Sequence, residues 1–232
     1  MNNYHQVIYG NYPKSDYPKK LIEYLSFKYR KYVEDTVLDL GCGDLTYTKE
    51  WTKWHFHVHG IDSNKKVQYI GVYKKDFEEN EFLIDFEKDK LPYDDCTFDI
   101  IFTKSVIEHV ANTDHFLRQI YKVLKPGGRI IILVPAWEYN YRWFYDDPTH
   151  IKPFHRKGLQ DALRLAGFKD VHIDYFYHLP FTWGHPTLGK ALATLIRRLT
   201  PDDWRWQDWE QQKMNVLIRF SKEVQLLGVA TK

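Results

Sequence analysis

The sequence predicts an α/β protein in which a mostly parallel sheet is covered by helices on both faces. Short apolar runs alternate with segments whose apolar residues repeat at helical spacing, which is typical of parallel strands joined by crossover helices. The first run, residues 37–40, stops at Gly41 and Gly43, and a helical pattern follows over residues 46–53. A chain of 232 residues is long enough for one such domain with a sizeable core and one embellishment.

Seven strands are predicted in chain order. Their ranges are 36–40, 56–61, 82–85, 98–103, 129–134, 171–177 and 224–230. Between the fourth and fifth strands, Phe116, Ile120 and Leu124 share a helical face, and the run Lys-Pro-Gly-Gly at 125–128 ends that helix. A further helix over 157–166 stops at Gly167, and an amphipathic helix around 209–222 precedes the last strand.

Charge and composition argue against a nucleic-acid partner and a membrane span, and they indicate the cellular compartment. Lys and Arg number 33 against 31 Asp and Glu, so there is no strong field for nucleic acid. Only Cys42 and Cys96 are present, which indicates a reducing compartment. The first 20 residues do not resemble a signal peptide, and the longest apolar run, 130–136, is too short to span a bilayer. We therefore expect a cytoplasmic protein with no stable membrane insertion and no nucleic-acid partner.

The junction between the first strand and its glycines predicts a ligand site. Glycines let a ligand lie against bare backbone at the carboxyl end of a strand, where open α/β sheets bind. Asp39 would repel a pyrophosphate but suits an ammonium group, and Thr46 stands where a dinucleotide fingerprint needs its third glycine. The run 37–44 resembles the first motif of the class I S-adenosylmethionine-dependent methyltransferases, whose cofactor has an ammonium, a sulfonium and no phosphate.

The resemblance covers residues 33–177 by motifs and the last strand by order. It implies a Rossmann-like three-layer αβα sandwich with a seven-stranded sheet in the order 3-2-1-4-5-7-6, the last strand antiparallel. The segment 91–101 and the following Glu108-His109-Val110 resemble the branch related to ubiquinone-biosynthesis methyltransferases. The pattern over 147–168 is similar to small bacterial methyltransferases of sugar and cell-surface polysaccharide assembly.

S-adenosylmethionine is the cofactor that the resemblance implies. Asp62 lies 21 residues beyond Gly41, close to the spacing at which an acidic residue meets a ribose diol, although an N-cap at Asp62 or Ser63 is the alternative. By the resemblance, Asp85 takes the adenine amino group and the backbone N–H of Phe86 meets a ring nitrogen. The expected cofactor-binding set, which ends with two residues beside the methionine part, is Asp39, Gly41, Cys42, Gly43, Asp62, Ser63, Asp85, Phe86, Thr103 and Lys104.

One position departs from the family pattern. Leu45 stands where many relatives have a third glycine, and its side chain would crowd the loop. The methionine end of the cofactor would then be held differently, or the chain would be a S-adenosylmethionine-binding partner subunit without activity. Because Asp62 and Asp85 keep the acidic residues of the family pattern, an active enzyme is favoured over a subunit without activity.

The loop after the fifth strand is the predicted acceptor site, because it is long, aromatic and carries charges of both signs. Tyr139, Arg142 and Tyr145 are the expected lining residues. His150 is the first candidate for general base, since histidine titrates near neutral pH, and a histidine that only caps the loop is the alternative. His109 is the second candidate, or a residue that shapes the cofactor pocket.

The acceptor predicted from these residues is a small molecule. We expect a hydroxyl or amine of a sugar, a nucleotide-linked sugar or a small phosphorylated metabolite in cell-surface polysaccharide biosynthesis, with protein, lipid-linked and RNA substrates as alternatives. No metal is expected: His55, His57 and His59 alternate along a strand, and residues two apart lie roughly 6.5–7 Å apart, too far for one zinc ion.

A single domain over 1–232 is predicted, with an N-terminal extension at 1–32 and a helical insertion at 179–209. The insertion contains an apolar stripe at helical spacing, formed by Leu188, Leu192, Leu195, Ile196 and Leu199. Three interpretations follow in order of preference: a lid over the acceptor pocket, a homodimer surface, and a basic amphipathic patch on anionic membrane. The order reflects that such stripes most often pack on their own domain.

Overall fold

The computed structural model describes residues 15–32, 34–55, 57–63, 68–72, 78–80, 84–202, 204 and 212–232. The strands are β1 (Thr36–Leu40), β2 (His57–Ile61), β3 (Gln68–Val72), β4 (Glu78–Asn80), β5 (Phe98–Lys104), β6 (Leu124–Pro135), β7 (Lys169–Tyr177) and β8 (Val224–Thr231). The α-helices are α1 (Tyr17–Tyr29), α2 (Thr46–Trp51), α3 (Thr113–Val123), α4 (Trp137–Asn140), α5 (Arg156–Leu165), α6 (Pro186–Leu199) and α7 (Gln212–Lys222).

Within these residues the strands form one sheet in the order β4-β3-β2-β1-β5-β6-β8-β7. β2, β1, β5 and β6 run parallel to one another, and β8 lies antiparallel between β6 and β7. The α/β class predicted from the sequence is confirmed. The seven-strand arrangement is not, because the described sheet has eight strands.

The sheet edge beyond β2 accounts for the difference. A third parallel strand was expected at residues 82–85, but Ile84 and Asp85 lie outside any strand, and residues 81–83 fall outside the described part. Instead β3 and β4 continue the sheet antiparallel. A parallel neighbour needs a crossover of a dozen or more residues, whereas only residues 62–67 separate β2 from β3, which suits an antiparallel return.

Several predicted element ends shift by a few residues. α3 ends at Val123, so Leu124 and the run 125–128 belong to β6 and do not end the helix. Leu124 pairs with Phe98 of β5, and the register shifts before the regular parallel pairing begins at Ile100 and Arg129. Strand pairing along β5 therefore extends β6 backward through a Pro-Gly-Gly run that the sequence alone indicates as a helix stop.

Helices cover both faces of the sheet and make three layers. On one face α1 and α2 bury Leu21 and Trp51 against Phe102 of β5. On the other, α3 and α5 bury Phe116 and Leu163. Helix α1 falls in the predicted N-terminal extension, of which residues 1–14 lie outside the described part. Among the described helices none is long and apolar enough to cross a bilayer.

The four parallel strands end at the same edge of the sheet. β1 aligns with both β2 and β5, and β5 aligns with β6, so their carboxyl ends meet. The segments that follow them therefore gather at this edge. These segments are residues 41–45, 62–63, 105–109 and 136–150.

The last of these segments is closed at its base by hydrogen bonds. Ala136 and Phe154 form a parallel bridge, so the chain leaves β6 and returns beside it. The buried Asn140 side-chain amide donates to the carbonyls of Ala136 (2.7 Å) and Val224 (2.6 Å), and its oxygen accepts from Trp143 Nε1 (3.0 Å). The bond to Val224 holds the loop against β8, and the other two bonds brace the loop itself.

We expect Asn140→Ala to lower the free energy of unfolding by about 1–3 kcal/mol, because it removes two side-chain hydrogen bonds to buried carbonyls and the acceptor of Trp143 Nε1. Urea unfolding measures the change. Asn140→Asp keeps the size of the side chain but removes its donors, so it should lose at least as much. A change within about 0.5 kcal/mol for both variants would contradict this role.

Candidate active site

The glycine loop makes a turn that only glycine accommodates at its first position. Gly41 has φ of +84°, and a Cβ added there would lie 2.2 Å from Val106 Cγ2. The backbone N–H groups of Gly41 and Cys42 both donate to the carbonyl of Ile61, at 2.8 and 3.2 Å. The loop after β1 is therefore fixed to the end of β2.

Asp62 makes a second link between the same two loops. Its Oδ2 accepts a hydrogen bond from the N–H of Gly43 at 2.8 Å, and the side chain is buried. Ser63 follows and is half-buried. The residue expected to bind a ribose diol thus lies directly against the glycine loop.

Leu45 takes the left-handed conformation that a glycine would take. Its φ is +67°, and its N–H donates to Cys42 O at 2.9 Å. The side chain is buried against Cys42 and does not open the loop. The left-handed backbone costs about 1–2 kcal/mol, and burying a leucine side chain contributes about 1.5–3 kcal/mol. The two effects offset each other, and the turn keeps the backbone of the glycine pattern.

Asp39 is a buried carboxyl with one hydrogen bond from a side chain. Thr48 Oγ1 in α2 donates to Asp39 Oδ2 at 2.6 Å. Burial raises the pKa of Asp39 to about 7, the bond from Thr48 opposes the rise, and the negative charges of Asp62 and Asp44 add to it. A nearby cation would favour the ionised form. Thr48 was missed by the sequence analysis, although its place in the helix after the loop is a usable signal.

The predicted adenine-binding residues lie in a turn. Asp85 accepts from the N–H of Glu87 at 2.9 Å and pairs with Lys88 Nζ at 3.0 Å. The bond from Glu87, with the bond from Lys88 next, lowers the pKa of Asp85. Phe86 is buried with its ring centroid 5.5 Å from that of Phe116. In this arrangement Asp85 closes a turn, and contact with adenine stays a prediction.

The end of β5 brings polar groups to the same edge. The Thr103 hydroxyl is buried and has no hydrogen-bond partner among the described residues. The ammonium of Lys104 lies 5.4 Å from the centre of the Tyr47 ring. Ser105 Oγ accepts from Gln225 Nε2 of β8 at 3.1 Å. A polar ligand group at Thr103 would satisfy its buried hydroxyl.

The two candidate bases lie together. The ring centroids of His109 and His150 are 4.7 Å apart. His150 Nδ1 lies 2.5 Å from the carbonyl of Phe144, which can only accept, so Nδ1 carries a proton and Nε2 holds the lone pair. Nε2 faces Asp147 Oδ2 at 3.9 Å and Glu108 Oε1 at 4.0 Å. The structure therefore shows the backbone cap that was the alternative for His150, and the role of general base stays a prediction.

His109 is held by the loop that carries His150. Its Nδ1 lies 2.9 Å from Thr149 Oγ1 and 3.1 Å from Thr149 O. Thr149 Oγ1 donates its own proton to Asp147 Oδ1 at 2.6 Å, so His109 Nδ1–H is the donor to Thr149. Burial, and then the neighbouring His150, lower the pKa of His109 and favour its neutral form.

Glu108 is the functional candidate that sequence reasoning missed. The side chain is fully buried, and neither carboxylate oxygen has a hydrogen-bond partner in the described part of the chain. Burial raises the pKa of Glu108 to about 8. Its backbone carbonyl accepts from the N–H groups of Ile151 and Lys152, both at 3.0 Å. The adjacent His109 was the only sequence signal, since burial cannot be read from one acidic residue.

Glu108, His109 and His150 also have the spacing of a metal-binding group. One donor atom from each lies within 4.8 Å of the others. Carboxylate and imidazole are ligands that zinc accepts. The sequence did not indicate this set because its members come from two separate loops. The expectation that the protein binds no metal stays a prediction.

The three residues predicted to line the acceptor site lie in different surroundings in the structure. Tyr145 is exposed, and its ring lies 5.0 Å from that of Phe144, whose ring lies 4.5 Å from His150. Tyr139 packs instead on Tyr175, with ring centroids 5.1 Å apart. Arg142 forms an ion pair with Asp202 at 2.6 Å. Of the three, Tyr145 alone connects to His150 through these contacts.

We expect Gly41→Ala to destabilise the protein by about 2 kcal/mol or more, because left-handed backbone costs about 1–2 kcal/mol and overpacking about 1–3 kcal/mol. Gly158→Ala in α5 is the matched control: a Cβ there meets nothing within 4 Å. That control should gain about 0.5–1 kcal/mol from lower chain entropy and higher helix propensity. Equal stability of the two variants in urea unfolding would contradict the tight turn.

A second prediction concerns the pH dependence of unfolding without any ligand. The pKa of Asp39 is raised from 3.8 to about 7 by folding, so its contribution to stability is full below pH ~4 and is lost as the pH rises to ~7. This group alone should lower the unfolding free energy by about 1.4 kcal/mol per pH unit in that window. Asp39→Asn should remove that component of the slope in urea unfolding between about pH 5 and 7. An unchanged slope would show that the carboxyl ionises normally.

Comparison with known proteins identifies the family. Residues 12–173 match the family model described as a methyltransferase domain. The phosphoethanolamine N-methyltransferase 2 of Caenorhabditis elegans is 33% identical over 101 residues, which cover 42% of this chain and 23% of that protein. The sterol 24-C-methyltransferase of Saccharomyces cerevisiae is 26% identical over 207 residues, covering 75% of this chain and 52% of that protein. The chain thus spans about half or less of the length of these relatives.

A similar solved structure supports the fold. The S-adenosylmethionine-dependent methyltransferase of Archaeoglobus fulgidus superposes with a TM-score of 0.63 at 20% identity, covering 99% of this chain and all of that one. The resemblance derived from the glycine loop is therefore confirmed. The chain belongs to the methyltransferase domain family, with the class I fold of S-adenosylmethionine-dependent enzymes.

Proposed function

We propose that the protein transfers a methyl group from S-adenosylmethionine to a hydroxyl of a small acceptor, with His150 as general base. The observation that carries the proposal is the bond between His150 Nδ1 and the carbonyl of Phe144. It directs the basic Nε2 away from that carbonyl, at the sheet edge where the loops after β1, β2, β5 and β6 meet. His109 is the second candidate base, at 4.7 Å between ring centroids.

The reaction is a direct displacement at the methyl carbon. The acceptor oxygen forms a bond to carbon while the sulfur–carbon bond breaks, and the sulfonium leaves as a neutral thioether. His150 Nε2 takes the hydroxyl proton, so charge balances within the site. The enzyme contributes alignment of oxygen, carbon and sulfur together with proton removal.

The cofactor-binding residues keep the roles that the family resemblance implies. The glycine loop lies along the methionine part, Asp39 near its ammonium, and Asp62 on the ribose diol. The raised pKa of Asp39 supports this placement, because a buried carboxyl ionises readily only beside a cation. The proposed set is Asp39, Gly41, Cys42, Gly43, Asp62, Ser63, Asp85, Phe86, Thr103 and Lys104.

The proposed acceptor is a sugar, a nucleotide-linked sugar or a small phosphorylated metabolite in a cytoplasmic step of cell-surface polysaccharide synthesis. The exposed Tyr145 beside Phe144 offers an aromatic surface for a sugar ring. The names of the two relatives point to a sterol and to phosphoethanolamine, so a lipid-linked or amine acceptor is the alternative. Packing of Leu45 within the turn argues against an inactive partner subunit.

The insertion at 179–209, of which residues 203 and 205–209 lie outside the described part, is proposed as a lid beside the acceptor loop. Arg197 Nη2 in α6 donates to the carbonyl of Tyr139 at 3.0 Å, and its guanidinium lies 4.6 Å from the centre of the Tyr139 ring. Asp202 pairs with Arg142 of the same loop. These contacts link the insertion to the acceptor loop and support its proposed role as a lid.

We expect His150→Ala to lower methyl transfer roughly 10²–10⁴-fold, because the acceptor keeps its proton. The readout is formation of S-adenosylhomocysteine with a panel of sugars, nucleotide sugars and phosphorylated alcohols. Calorimetric affinity for S-adenosylmethionine should stay near the parent value, since the substitution spares the glycine loop. His155→Ala is the control: its exposed ring pairs with Glu138 at 3.0 Å.

Undiminished turnover in His150→Ala would show that His150 is not the general base. The base would then be His109, or the reaction would rely only on the proximity of the two substrates. Loss of activity on adding a chelator, with recovery on adding a divalent metal, would assign His150 to metal binding instead. No calorimetric binding of S-adenosylmethionine by the parent protein would overturn the whole proposal.

A further inference from the structure

Helix α6 presents a row of leucines to solvent. Leu188, Leu195 and Leu199 are 55%, 53% and 71% exposed. Their spacing of seven and four residues places them on one side of the helix. Of the predicted apolar stripe, Leu192 and Ile196 are partly covered, so packing on the chain's own domain explains only part of it.

The orientation of α6 is fixed by its other side. Ala193 is fully buried, and a Cβ added to Gly189 would lie 2.6 Å from Thr182 Oγ1. Arg197 donates to the carbonyls of Tyr139 and Lys222, at 3.0 and 3.2 Å. Rotation that turned the leucines inward would break these contacts, so the leucine row faces outward in the folded protein.

The positive charge of α6 indicates which kind of surface could cover the leucine row. α6 has three basic residues and no acidic one. Arg197 is turned inward, while Lys190 and Arg198 are exposed. Around the helix, Arg198 lies about 80° from the leucine row and Lys190 about 160° from it. A second copy seated on the leucines would bring Arg198 of both copies to the interface, which disfavours a symmetric dimer. An anionic lipid surface takes up the leucines, binds Arg198 beside them and attracts Lys190 from the polar face.

We propose that α6 lies in the headgroup region of an anionic membrane, with Leu188, Leu195 and Leu199 inserted, Arg198 beside them at the lipid phosphates and Lys190 on the polar face. Interfacial helices have this composition: leucines on one face and basic residues on the polar face. Trp204, which follows the helix and is 37% exposed, is of the residue type that concentrates at such interfaces. The 14-residue helix would lie along the surface over about 20 Å.

The inference does not depend on the proposed methyl transfer. It does place the acceptor loop beside the membrane, because Arg197 of α6 holds the carbonyl of Tyr139. An acceptor with a lipid part could then enter from the membrane surface.

The test is co-sedimentation of the full chain with vesicles of phosphatidylcholine alone, or with about 30 mol% phosphatidylglycerol to supply a negative surface. We expect binding only to the anionic vesicles, weakened by salt. Arg198→Gln should lower vesicle affinity about fivefold, and Lys190→Gln should lower it less, because Lys190 lies farther from the lipid surface. Leu188→Ser, Leu195→Ser and Leu199→Ser together should abolish binding. Leu165→Ser, at a leucine of α5 that is 74% exposed, is the matched control and should bind like the parent.

Calorimetric binding of S-adenosylhomocysteine and the far-ultraviolet spectrum show whether each variant is folded. Absence of binding to anionic vesicles, or equal binding by the triple-leucine variant, would overturn the proposal. A parent dimer that becomes a monomer in the triple variant, measured by light scattering, would assign the leucine row to a second copy of the chain. If only the methyltransferase assay fails, the membrane proposal stands.

Discussion

The site depends on one constraint, the joining of two strand ends by backbone hydrogen bonds. Two N–H groups of the loop after β1, those of Gly41 and Cys42, share the carbonyl of Ile61, and Gly43 N–H binds the carboxylate of Asp62. The parallel register of β1 and β2 brings these partners together. Because a Cβ at residue 41 would overlap Val106, glycine is required there. The loops after β1 and β2 are thus held together at the proposed cofactor site.

Two buried carboxyls set the electrostatics of the same edge. Burial raises the pKa of Asp39 to about 7 and that of Glu108 to about 8, so both hold protons readily when no cation is near. A cofactor with an ammonium and a sulfonium would offset this cost. The loop that carries His150 is tied to Glu108 by two backbone bonds, from Ile151 and Lys152. Hydrogen bonds thus join the loop after β6 to the segment after β5.

The sequence predicted the parts of the fold that local pattern determines. Apolar runs located β1, β5 and β8, and the glycine loop identified the family and selected Asp39 as a candidate cofactor residue, with Asp62 chosen from its spacing after Gly41. The sequence-based prediction was wrong where long-range strand pairing determines the structure: β3 and β4 form the sheet edge, and β6 begins at Leu124, ahead of a Pro-Gly-Gly run. It also missed Glu108 and Thr48, because burial and a partner nine residues away, at Asp39, depend on packing. His109 and His150 were chosen separately, and the fold brings them together.

A crystal structure with bound S-adenosylhomocysteine tests the central claim most directly, namely that this sheet edge holds the cofactor and points its sulfur at His150. We expect the ribose hydroxyls on Asp62, the ammonium on the side of Asp39, and the sulfur open toward His150 Nε2 with room for one acceptor group. A ligand bound away from the glycine loop would contradict the cofactor site. A sulfur that faces away from His150, with that histidine still on the carbonyl of Phe144, would contradict the catalytic assignment.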